Sequence, residues 1–172
     1  MGMYKYISEA FQKEYKERTP EYRKRVTTWR REPTVVKVEK PMNLARARSL
    51  GYKAKPGIIV VRVKTGRGQR KRPHPWGGRK PAKNAAYRVP GKSYRSIAEE
   101  KASRKYRNLD VLNSYFVGRD GQYQFFEVLM FDAEVYYGTD RHMGRAFRGL
   151  TSSSRKSRGL RGKGNGYEQA MI

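Results

Sequence analysis

The stretch LDVLNSYFVGRDGQYQFFEVLMFD (109–132) decides the fold, because it predicts a β-hairpin. Two runs rich in β-branched and aromatic residues flank Asp120-Gly121, a dipeptide that supplies the positive φ angles of tight hairpin turns. Apolar residues fall on both faces of the strands, as in Phe125 beside Phe126. Strands of this kind are typical of a sheet that is covered on both sides.

A further strand and two helices are predicted on the N-terminal side of the hairpin. The continuous run IIVVRVK (58–64) predicts a buried strand. Apolar residues at helical spacing predict a helix over 4–17. Thr19 followed by Pro20 predicts the start of a second helix, which should run to about Arg31 and end before Pro33.

Two more helices are predicted from capping residues. Asn43 is a favoured N-cap for a short helix through Leu50, and Gly51 supplies a left-handed end. Ser96 followed by Glu99 fits a capping box for a helix over about 97–107. The order of elements predicts an α+β fold, with a small antiparallel sheet and helices on both faces.

The organisation predicted for the 172 residues is one core with two basic extensions. Residues 1–144 form the α+β core and carry a basic loop at about 65–92, which is rich in Gly and Pro. Residues 145–172 form an extended basic C-terminal segment, too poor in apolar residues to offset its ordering entropy unaided.

The charge is large and segregated along the chain. Lys and Arg number 40 against 15 Asp and Glu, a net charge of +25. Residues 40–98 contain 17 basic residues and no acidic residue, and residues 141–172 contain eight basic residues with Glu168 alone opposing them. Such segregation favours phosphate contact over a merely solvated or membrane-surface basic protein.

Three basic motifs supply the candidate RNA-binding residues. The loop contributes Arg67, Arg70, Lys71, Arg72, His74, Trp76, Arg79, Lys80 and Lys83. The C-terminal motif contributes Arg148, Arg155, Lys156, Arg158, Arg161 and Lys163, and the helix near 44–55 contributes Arg46, Arg48, Lys53 and Lys55.

Each motif also has a plainer interpretation. Trp76 either stacks on an unpaired base or anchors its loop on the protein core. The C-terminal motif could be a solubilising tail, although its spaced Phe147, Leu150 and Leu160 argue against that. The 44–55 helix could simply be exposed.

Other classes of protein and site find little support. The chain has no Cys, so thiolate metal sites and disulfides are excluded. His74 and His142 lack metal-ligand spacing. No nucleophile or P-loop motif occurs, and the adjacent Glu99 and Glu100 make a poor acid–base pair. We therefore expect no enzyme, no small-molecule substrate and no membrane contact. No cofactor is expected, although Mg²⁺ could accompany bound RNA.

Several quoted motifs together resemble a known family. ARARSLGYKAKPGIIVVRV (45–63), RGQRKRP (67–73), SIAEEKASRKYRNLDVLNSYFVGRDGQYQFFEVLMFD (96–132) and RGLTSSSRKSRGLRGKG (148–164) look like the "fifteen-e" family of archaeal and eukaryotic large-subunit ribosomal proteins. The resemblance covers most of the chain and leans towards the archaeal type. It implies a cytoplasmic, ribosome-bound structural protein whose partners are large-subunit rRNA and neighbouring ribosomal proteins, with extensions threaded through the RNA.

Two rival classes differ from this expectation in testable ways. A DNA-compacting architectural protein shares the charge but more often has dimerising helices or repeated basic arms. An RNA-modifying or RNA-cleaving enzyme would need catalytic residues, for which His74, Glu99 and Glu127 are the candidates.

Overall fold

The computed structural model describes residues 2–68, 76–78, 91–133, 135 and 144–161. Within these residues the chain forms one antiparallel sheet in the order β1-β2-β4-β3. The strands are β1 (Val35–Val38), β2 (Ile58–Gly66), β3 (Asp110–Arg119) and β4 (Tyr123–Phe131). The helices are α1 (Met3–Glu17), α2 (Pro20–Arg31), α3 (Leu44–Ser49), α4 (Tyr94–Lys105) and α5 (Ser152–Ser157).

The predicted helix starts at Thr19 and Asn43 are confirmed. The Thr19 hydroxyl accepts a hydrogen bond from the Tyr22 amide at 3.3 Å, and the Asn43 side chain accepts one from the Arg46 amide at 2.9 Å. Gly51 has φ 98°, the left-handed geometry expected where α3 ends. These capping residues therefore set the boundaries of α2 and α3, as the sequence predicted.

Helices cover both faces of the sheet, as expected. On one face α4 buries Ala98 and Ala102 against strand residues that include Phe126. On the opposite face α2 and α3 bury Trp29 and Ala47 against strand residues that include Phe125. Burial of a phenylalanine side chain is worth roughly 1.5–3 kcal/mol, so the neighbouring phenylalanines of β4 stabilise two separate layers.

Strand β1 was not predicted from the sequence. It pairs antiparallel with β2 at one edge of the sheet, with Val35 opposite Val63 and Val38 opposite Val60. Strand β2 also continues through Thr65 and Gly66, which the sequence assigned to the following loop. Edge β1 is only four residues long, so its sequence carries little periodic signal.

Two local predictions were wrong. Helix α4 starts at Tyr94, and its N-cap is Ser93, whose hydroxyl accepts a hydrogen bond from the Ser96 amide at 3.2 Å. Gly121 in the hairpin turn does not adopt a positive φ. The Asp120 carboxylate holds that turn instead, because it accepts hydrogen bonds from the amides of Gln122 and Tyr123 at 2.7 and 2.5 Å.

Candidate nucleic-acid interface

The C-terminal segment folds back onto α4 through the buried carboxylate of Glu99. Thr151 and Ser153 each donate a hydrogen bond of 2.6 Å to Oε2 of Glu99, and Ser114 of β3 donates to Oε1. Ser96 adds a hydroxyl contact of 3.1 Å with Ser153. Polar side chains rather than a large apolar area therefore fix the start of α5.

This arrangement corrects the prediction of an extended chain from residue 145. Residues 145–161 contain helix α5, and Ala146, Thr151, Ser153 and Ser154 in this part of the chain are buried. This packing has no local signal in the sequence, because Glu99, the acceptor for both Thr151 and Ser153, lies more than 50 residues away. Residues 162–172, including Lys163, lie outside the described residues.

A basic groove of about 600 Å³ separates the start of α4 from α5; we name it the serine–arginine groove. Its cationic lining residues are Lys92, Arg95, Lys156 and Arg161. Its hydroxyl-bearing lining residues are Ser93, Ser152, Ser153 and Ser157. No acidic residue lines it among the described residues, so the groove offers hydrogen-bond donors and positive charge together.

Arg95 links this groove to the sheet. Its Nε donates a hydrogen bond to the Ser114 hydroxyl at 2.7 Å, and its guanidinium also donates to the side chain of Asn113. Burial lowers the pKa of Arg95, Glu99 opposes that effect, and the positive charges of Arg46 and Arg161 lower the pKa further. Arg95 therefore shares the groove with the like charge of Arg161.

Sequence reasoning missed Arg95 and Lys92. Both lie next to Ser93, the N-cap of α4, or within two residues of it. A correct placement of the helix start would have put them beside the free backbone amides of a helix N-terminus, which bind anions. Lys92 also forms an ion pair with Glu100, and Arg95 lies 3.7 Å from Glu99. These two residues thus combine a structural role with their position in the groove.

A second groove, of about 460 Å³, lies beside the first and shares Ser152 and Arg161 with it. We name it the leucine–arginine groove. Its other lining residues are Leu112, Asn113, Arg145, Leu150, Arg155 and Leu160. It combines three aliphatic side chains with three guanidinium groups, and none of its described lining residues is acidic.

The helix α3 presents its arginines as predicted. Arg46 and Arg48 are exposed, whereas Ala47 between them is fully buried. Arg48 lies 5.6 Å from the centre of the Tyr4 ring and donates a hydrogen bond to the Tyr4 hydroxyl. Lys53 and Lys55 follow in exposed chain, so this motif forms a basic strip beside α1.

Several other predicted residues have structural partners. Arg67 donates a hydrogen bond to the Asp120 carbonyl at 2.6 Å. Arg158 donates to the carbonyl oxygens of Arg148 and Gly149 at 3.5 and 3.3 Å. These side chains help to hold the hairpin turn and the C-terminal segment in place.

The basic loop is described only in part. Trp76 is 76% exposed, so its indole does not pack on the core formed by the described residues. The remaining loop candidates lie outside the described residues: Arg70, Lys71, Arg72, His74, Arg79, Lys80 and Lys83.

Buried carboxylates leave the surface more basic than the composition suggests. Glu99, Asp110 and Glu127 are each at most 1% exposed. Burial raises the pKa of Asp110, and it raises the pKa of Glu127 as well. Negative charge is therefore withdrawn from the surface, while Arg46, Arg155 and Lys156 remain exposed.

Neither a membrane-spanning helix nor a cluster of metal-ligating side chains occurs in the described residues. No helix there is long and apolar enough to cross a bilayer. No cluster of three His, Cys, Asp or Glu side chains that could hold a metal ion occurs in the same ranges.

Comparison with known proteins agrees with the resemblance drawn from the motifs. The family model described as Ribosomal L15 matches residues 2–171. The chain is also 45% identical over 180 residues to the large ribosomal subunit protein eL15 of Nanoarchaeum equitans (strain Kin4-M). That alignment covers 98% of this chain and 94% of the relative. The chain therefore belongs to the Ribosomal L15 family and is a structural ribosomal protein, not an enzyme.

Proposed function

We propose that this protein serves in the large ribosomal subunit, where it binds and stabilises large-subunit rRNA. The observation that carries the proposal is a set of cations that the fold gathers in one place: Lys92 and Arg95 come from one part of the chain, and Lys156 and Arg161 from another. Like charges repel one another unless a polyanion neutralises them. The serine hydroxyls of the adjoining groove add neutral donors for phosphate oxygens.

Binding should come mainly from phosphate neutralisation and fit to the RNA shape. Lys156 and Arg155 form no ion pair with a carboxylate within the described part of the chain, so their charges are available to RNA. Arginine presents a planar fork that matches phosphate, and lysine presents a point charge. Contacts of this kind position RNA without reading much of its sequence.

The other candidate residues extend the proposed contact surface. Arg48, Lys53 and Lys55 continue it along α3 and the chain that follows, and exposed Trp76 supplies a ring for stacking on an unpaired base. The basic loop at 65–92 and the C-terminal end would extend these contacts through their basic residues. Neighbouring ribosomal proteins are the second class of partner, which membership of a ribosomal family supports.

Competition between RNA and DNA tests this function. Full-length protein bound to labelled large-subunit rRNA would be challenged with unlabelled large-subunit rRNA or with double-stranded DNA of equal phosphate concentration at one salt concentration. We expect rRNA to displace the label at a lower concentration than DNA, because the proposed contacts depend on the folded shape of the RNA. Equal displacement by DNA would contradict the proposal and favour a DNA-compacting protein.

A further inference from the structure

The leucine–arginine groove has features that neither core packing nor simple phosphate contact explains. Leu150 is 41% exposed although apolar, and it lines the groove together with Leu112 and Leu160. Phosphate binding needs no aliphatic wall, and a packed core needs no arginines around it. The combination fits a ligand that has one apolar, flat part and one anionic part.

The groove is fixed in place by groups beneath it. Arg145 donates from its amide to the Asp110 carboxylate at 3.2 Å and from its guanidinium to the Val111 carbonyl at 3.3 Å. Arg161 donates to the Ser152 carbonyl at 3.1 Å, and the adjoining Thr151 is held by Glu99. A preformed site loses less ordering entropy when a ligand enters.

We propose that the leucine–arginine groove receives one unpaired nucleotide of the bound RNA, with its base against the leucines and its phosphate towards the arginines. This inference rests on the proposed function and names a subsite of it. A base inside a duplex exposes only its edge, so the nucleotide must be unstacked to present its face. The volume of about 460 Å³ lies within the range of small-molecule sites.

Continuity with the serine–arginine groove favours RNA over an acidic peptide. Ser152 and Arg161 line both grooves, so a chain that places a base in one groove can place its next phosphate in the other. The Arg155 side chain forms no hydrogen bond or ion pair with any described residue, which leaves its guanidinium available at the rim. An RNA strand alternates a flat base with a phosphate along its length, and these adjacent grooves have the corresponding alternation.

Three RNA hairpins test the proposal with the full-length protein. The first is a continuous duplex stem, the second carries one bulged uridine, and the third carries an abasic nucleotide at the bulge. We expect the bulged hairpin to bind at least about fivefold more tightly than the abasic one, because only the base differs. In L150Q this preference should disappear, while the slope of log affinity against log salt stays that of the wild type.

V135Q is the matched control, because Val135 is 61% exposed and lines neither groove. It should keep the preference for the bulged base. Thermal unfolding would reveal whether L150Q affects folding, and L160Q, measured in the same binding assay, then serves as a second variant of the groove.

Equal affinity of the wild type for the bulged and abasic hairpins would overturn the nucleotide site. It would also be overturned if L150Q kept its preference for the bulged hairpin while an acidic peptide competed for the wild type alone. Loss of salt-dependent binding to all three RNAs would instead overturn the proposed function together with this subsite.

Discussion

Thr151 donates a hydrogen bond of 2.6 Å to the carboxylate of Glu99, joining the C-terminal segment to a helix 52 residues earlier in the chain. Ser153 and Ser114 donate to the same carboxylate, and Arg95 lies 3.7 Å from it. One buried acidic group thus orients both walls of the serine–arginine groove. The arrangement of the cations in this groove therefore depends on the buried carboxylate of Glu99.

Replacement of Glu99 by alanine should loosen the C-terminal segment. E99A would leave the hydroxyls of Thr151, Ser153 and Ser114 without their acceptor, and we expect the free energy of unfolding to fall by about 2–4 kcal/mol. Urea unfolding measures this change. E100A on the same helix removes ion pairs with Lys92 and Arg104 and should cost less than about 1 kcal/mol; equal losses in both variants would contradict the role of Glu99.

Asp120 should make the hairpin turn sensitive to acid. Burial raises its pKa, but hydrogen bonds from the amides of Tyr123 and Gln122 and from Arg30 outweigh burial, so the pKa is lowered from 3.8. Its stabilising contribution is therefore present above the unfolded-state pKa and is lost as pH falls through the folded-state pKa.

The variant D120N tests this pH dependence. At pH 7 we expect it to lower the free energy of unfolding by about 1–2 kcal/mol, since a charge-assisted acceptor is lost. The difference from the wild type should shrink as the pH is lowered below about 4, where the unfolded wild-type chain takes up a proton on this carboxylate. Denaturant unfolding at several pH values measures it, and a difference that grows on acidification would refute the assigned shift.

The two tryptophans should separate RNA binding from stability. Trp76 is 76% exposed, so W76A should change the free energy of unfolding by less than about 0.5 kcal/mol. If Trp76 stacks on a base, W76A should weaken binding to large-subunit rRNA by about 1–3 kcal/mol. Trp29 is 5% exposed, and W29A should destabilise the fold by about 3–5 kcal/mol. Unchanged RNA affinity in W76A would leave the indole without a stacking role.

Elements with local signals were predictable from the sequence. The Thr19-Pro20 and Asn43 helix starts, the central strand β2 and the β3–β4 hairpin are all encoded in short windows. The adjacent Phe125 and Phe126 also predicted that both faces of the sheet are covered, and each packs in a different core cluster.

Features that depend on distant partners were not predictable. Ser96 and Glu99 fit a capping box by spacing, but the Glu99 carboxylate binds Ser114 and Thr151 and leaves capping to Ser93. The convergence of Lys92, Arg95, Lys156 and Arg161 likewise arises only after α4 and the C-terminal segment have packed. Charge counts found the basic motifs, but only the fold brings them together.

The salt dependence of rRNA binding tests the central claim most directly. Log affinity of the full-length protein for large-subunit rRNA would be measured against log salt for the wild type, R46Q/K156Q and the charge-matched R31Q/K37Q, which alters exposed residues at the end of α2 and on edge strand β1.

We expect a steep wild-type slope that becomes shallower by about 0.7–0.9 for each cation removed in R46Q/K156Q. R31Q/K37Q should retain more of the wild-type slope. A nearly flat wild-type response, or the same loss of slope in both double variants, would contradict binding of RNA phosphate at this face.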